Sequence, residues 1–186
     1  MADLYAHDFY EIPDVLSNNE ELREAIIALV ETQPIAGKVT EGGDRLDRFR
    51  TILRNLFSDH DFSEAVRRTE AELPRHSSSH SQNNHVFPTG WAERLVLTQY
   101  SRFYNQAVME KLIAEDHTEC HVPHSSTEDA SSLCTQLLAG GNHDLQTLYI
   151  RLVQGYAFNK WKRGEAKIPN HPHCTHVVVP VEEQGS

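Results

Sequence analysis

The densest run of metal-ligating residue types in the sequence is His171-Pro172-His173-Cys174-Thr175-His176. In an extended chain successive side chains alternate faces. His171 and His173 then point one way, and Cys174 and His176 the other. Either pair offers two ligands from a segment stiffened by proline. A companion run is Cys120-His121-Val122-Pro123-His124. Cys120 and His124, with two of His171, His173, Cys174 and His176, complete a tetrahedral site of mixed thiolate and imidazole character. Zinc is the metal this donor set suits best, with iron the alternative. With one coordination position left open, such a site activates water, and the protein is then a small metal-dependent hydrolase or lyase. The spacing matches no finger pattern, because the chain has no Cys-x-x-Cys. The plainer reading makes these histidines surface loop residues and the cysteines small buried hydrophobes.

Other constellations are weaker. Cys174 between His173 and His176 invites a nucleophilic-thiol reading, but such dyads are spatial pairs rather than sequence neighbours. Cys134 reads as a core-facing helix residue beside Leu137 and Leu138. His76, His80 and His85 fall in a polar, Ser/Asn-rich stretch. Glu110, Glu115, Asp116 and His117 cluster near the end of a long helix, yet no Glu-x-x-His occurs, so a bundle di-iron site is not encoded. Two helices joined by a short turn around Ser58-Asp59-His60 carry Arg45, Arg48, Arg50 and Arg54 against Asp44 and Asp47. That resembles a helix-turn-helix reader of DNA. Arg102 lies beside Phe103 and points either to solvent or into a cleft.

The elements that must position these residues are mostly helical. Apolar residues recur at helical spacing over about 20–32, 44–57, 61–73, 91–114, 126–139 and 142–156. A residue of Ser17-Asn18-Asn19 caps the first of these, and Asp44, Asp61, Thr89, Ser126 and Asn142 are the expected N-caps of the others. The stretch 91–114 has no Pro or Gly and is the expected central pillar. The fold expected is therefore mainly α: a compact multi-helix domain over 1–186, with five to six helices around a long central helix. Residues 74–88 read as a mobile polar loop, and 168–186 as an extended C-terminal arm. Within that arm Val177–Val181 is β-prone. It must pair with a short segment such as His121-Val122, pack as an arm, or join a partner or a second copy of the chain.

The 186 residues carry a formal net charge of −10, with 39% hydrophobic and 24% charged residues. That balance fits an acidic, soluble, globular protein and opposes non-specific binding to nucleic acid or anionic membranes, unless a local basic patch overrides it. No run reaches the ~18 apolar residues of a membrane span, and the N-terminal residues lack a signal-peptide pattern. Three cysteines make a poor disulfide framework, so reduced thiols in a cytoplasmic protein are expected. Two function classes stay open: a metal-binding protein, with or without hydrolytic or lyase activity, and a non-enzymatic acidic adaptor or accessory subunit.

Overall fold

The computed structural model describes residues 3–182. The first four helices are α1 (Ile12–Asn18), α2 (Glu20–Thr32), α3 (Arg45–Asp59) and α4 (Phe62–Glu72). The long helix α5 (Trp91–Ala114) follows. Beyond it lie β1 (Glu119–Val122), α6 (Leu133–Leu137), β2 (Gly141–Asp144), α7 (Leu145–Phe158) and β3 (Val179–Pro180). The protein is mainly α, as the 3.6-residue periodicity requires.

Capping sets the boundaries. Asn19 Oδ1 accepts from the Leu22 N–H, and Glu20 and Glu21 sit at the positive end of the α2 dipole. Asp61 caps α4 through the Glu64 N–H. Asp144, rather than Asn142, caps α7 through the Thr147 N–H.

Helix α5 packs against α2, α3, α4 and α7. From Gln99 to Met109 every residue is buried, so the helix has no solvent face there. Several of its polar residues bond to other segments. Tyr104 Oη accepts from the Ala6 N–H at 2.8 Å, and Asn105 Oδ1 accepts from the Val178 N–H at 2.9 Å. Arg102 is fully buried rather than solvent-facing. It donates to Pro34 O and Gln106 Oε1, both at 3.0 Å, and burial pushes its guanidinium down to about 10.

The three strands form an antiparallel sheet in the order β2-β1-β3. Cys120 pairs with His143, and His121 with Val179. The β-prone arm thus takes the first of its three expected courses, onto the His121 segment. Val177, Val178 and Val179 are buried.

Two expected helices change shape. In place of a helix over 126–139 only α6 forms, after a run of turns. Asp129 Oδ1 accepts from both the backbone N–H and the hydroxyl of Ser131, a local bond that competes with helix. Ser126 gives its N–H and hydroxyl to Asp8 instead of capping. The helix expected from Asn142 starts at Leu145, because Gly141–Asp144 is spent on β2. Residues 74–88 wind round Arg75, which donates to Ser81 O and Asn84 Oδ1.

Candidate metal centre

Cys174 follows a tight turn. Its N–H donates to His171 O at 3.1 Å, with Pro172 and His173 at the turn's centre. Proline's fixed φ suits the first central position of such a turn. The turn, not an extended strand, therefore governs His171–Cys174, and it folds His171 and Cys174 together while His173 stays exposed. The expected pairing of His171 with His173 does not form. From Cys174 onward the chain is extended, and Cys174 and His176 share a side.

Helix α6 supplies the third group. The ligand atoms of Cys134, His171 and Cys174 all lie within 4.8 Å of one another. These three residues are close enough to hold a metal ion. The two sulfurs are 3.8 Å apart. A disulfide needs about 2.05 Å, whereas two thiolates about 2.3 Å from a tetrahedral metal stand roughly 3.8 Å apart. His176 Nδ1 lies 3.7 Å from Cys174 Sγ, against about 3.6 Å for an imidazole and a thiolate sharing a tetrahedral zinc.

His176 is 2% exposed, and its ring is aimed by Glu128. Its Nε2 donates to Glu128 Oε2 at 2.8 Å, which leaves the Nδ1 lone pair facing the sulfurs. Glu128 also accepts from the Ser125 N–H at 3.0 Å and from His124 Nδ1 at 2.7 Å. Desolvation would raise the Glu128 carboxyl, but these bonds outweigh it and hold it down to about 2. Desolvation opposes the charged form of His176 too, and its bonds to Cys134 and Glu128 still raise it. In the thiol pair, the Cys174 S–H donates to Cys134. That lowers Cys134 and raises Cys174, so the pair shares one proton.

The other expected ligands lie elsewhere. Cys120 is buried in β1, its S–H directed at His143 O, and desolvation with nearby Asp144 and Glu119 pushes it up to about 12. His124 is exposed and reaches the centre only through Glu128. His173 lines a cleft of about 350 Å³ with Phe9, Tyr10 and Phe62. Cys134 was hidden from sequence reasoning because nothing near it in the chain ligates; its partners are some forty residues on. As a nucleophile it lacks access, being fully buried.

The arginines of α3 have structural partners. Arg45 donates to Val39 O, Leu73 O and Pro74 O. Arg48 pairs with Asp44, Arg54 with Glu31, and Arg50 donates to Gln33 O.

Asp8 pins the turn ahead of Glu128. Its carboxylate accepts from the Tyr10 N–H, the Ser125 hydroxyl, and the N–H and hydroxyl of Ser126. Desolvation opposes ionisation, but these donors keep Asp8 below its ordinary value. A lowered carboxyl contributes stability that is present above its unfolded value, about 3.9, and lost as pH falls through the folded one. Asp8→Asn should therefore be less stable than the parent at neutral pH in urea unfolding, and the gap should close below about pH 4. A gap that ignores pH would mean the ionised carboxylate is not what these donors need.

No family model, curated protein or solved structure matches the chain. No described helix is long and apolar enough to cross a membrane.

Proposed function

We propose that the protein is a zinc-binding module in which Cys134, His171, Cys174 and His176 hold one metal ion and tie the C-terminal segment to α6. The observation that carries this reading is the 3.8 Å separation of two buried sulfurs with His171 beside them. Two thiolates and two imidazoles favour zinc over iron or the hard oxygen-seeking cations. Glu128 supports the site in the way carboxylates commonly fix a metal-bound imidazole, by occupying its second nitrogen.

With His176 as fourth ligand no coordination position is left for water, so the metal supplies cross-linking rather than Lewis-acid chemistry. The geometry thus favours a non-enzymatic, structural centre over a hydrolase or lyase. Ligating thiolates must stay reduced, which goes with a cytoplasmic location.

Elemental analysis of gently purified, untagged protein tests the reading. About one zinc per chain is expected, kept by Cys120→Ser and lost by Cys134→Ser and Cys174→Ser. A metal-free parent protein, or Cys120→Ser losing metal as the other two do, would refute this ligand set.

A further inference from the structure

The segment between α7 and the metal ligands has a composition unlike the rest of the chain. Helix α7 stops at Asn159, whose φ of 55° turns the chain, and Gly164, at φ 81°, turns it again. All seven residues from Phe158 to Gly164 are exposed, so the turn projects. Two large rings stand on it, Phe158 at 58% exposure and Trp161 at 47%. Lys160, Lys162 and Arg163 accompany them, against Glu165 as the one acid, while Lys167 is buried at the base of the turn. Three of the chain's five lysines thus lie within eight residues. Among the described residues, none of Lys160, Lys162 and Arg163 forms an ion pair.

The turn is built rather than loose. Trp161 Nε1 donates to Asn159 Oδ1 at 3.0 Å, and the indole meets Tyr156 edge-on at 5.1 Å. Lys167 Nζ sits 3.6 Å above the ring centroid. At the base, Arg151 donates to Ala166 O and the Tyr156 hydroxyl to Pro169 O.

We propose that this turn docks the protein reversibly on an anionic lipid surface. Exposed aromatic rings beside unpaired cations match the two halves of a membrane interface. Rings settle at the boundary of headgroups and acyl chains, while Lys and Arg meet lipid phosphates and carboxylates. The indole N–H already has its acceptor, so entering that boundary leaves no donor unmatched. The chain's net charge of −10 does not forbid docking. Charges beyond a Debye length of about 8 Å are screened, and the acid within the turn's own sequence is Glu165. A single nucleic-acid strand fits less well. Such strands lie along grooves with successive stacking platforms, whereas this turn projects and Lys167 already covers one face of Trp161.

The test is flotation of the purified full-length protein with vesicles of phosphatidylcholine alone, or of phosphatidylcholine with about a third phosphatidylserine. The parent should float only with the anionic vesicles and be released by salt. In a Trp91→Phe background, Trp161 emission should shift to shorter wavelength on binding. The triple variant Lys160→Glu, Lys162→Glu, Arg163→Glu should bind roughly a hundredfold more weakly while matching the parent's metal content and melting temperature. No flotation, flotation that ignores the three substitutions, or patch-dependent binding to a single-stranded oligonucleotide in place of vesicles would overturn the proposal. Metal content of the same samples reports separately on the zinc site, on which this inference does not rest.

Discussion

Chelation at neutral pH is expected to lower the melting temperature by roughly 8–16 °C and to leave the room-temperature helix signal nearly unchanged. The size follows from linkage. A metal that binds the folded chain and not the unfolded one adds about 4 kcal/mol when its free concentration is a thousandfold above Kd. A chain of this length shifts by about 2–4 °C per kcal/mol. Helix content should survive because α2, α3, α4 and α7 bury their apolar faces on α5 without help from the metal. The damage should fall on what the centre holds: the turns before α6 and the segment from Asn159 to His176. Limited proteolysis should cut there first in the chelated protein. Cys134→Ser should melt like the chelated parent and stop responding to chelator, while Cys120→Ser should respond as the parent does. A parent whose melting ignores chelator would exclude a metal that contributes to the fold.

The helices were legible because their signal is local. Asp61 caps where the sequence places it, Asn19 is the one of Ser17-Asn18-Asn19 that caps α2, and α5 runs over the stretch expected from its lack of Gly and Pro. The candidate metal centre was half legible for the opposite reason. His171, Cys174 and His176 announce themselves by sitting together, but Cys134 is brought to them only by the tertiary fold. The turn at Pro172-His173, which decides that His171 and not His173 faces the sulfurs, depends on one backbone hydrogen bond that periodicity does not encode. Of the sheet, the pairing of β3 with the His121 segment was legible as one of three courses, but β2 was not, because its strand is only four residues long. Gly141-Asn142-His143-Asp144 reads as a helix cap and becomes a strand only when Glu119–Val122 lies beside it. Arg102, which the sequence left open between solvent and a cleft, is buried in the core. Neighbours close over α5 on every side, and carbonyl and amide oxygens take the place of water at Nε and Nη1, while Nη2 has no partner among the described residues.

Phe57→Ala should cost about 3–5 kcal/mol, the usual penalty for deleting a buried aromatic ring. Phe57 has no exposed surface and stacks on Tyr100 at 4.5 Å with the planes 10° apart. Tyr100 in turn meets Phe62 edge-on at 4.7 Å and Phe9 at 5.8 Å, so one ring joins α3, α4, α5 and the segment preceding α1. Its hydroxyl lies 3.1 Å from His60 Nδ1, in the turn between α3 and α4. Removing Phe57 leaves a cavity bounded by other rings, which cannot collapse into it without losing their own geometry; aromatic pairs of this kind add about 0.5–1.5 kcal/mol beyond area burial. Against a total stability of about 5–15 kcal/mol, the loss should be plain in urea unfolding. Phe158→Ala removes the same side chain from the exposed turn and should stay within about ±0.5 kcal/mol in solution. Equal costs would mean that the aromatic cluster around Tyr100 is not what joins α3 and α4 to the central helix.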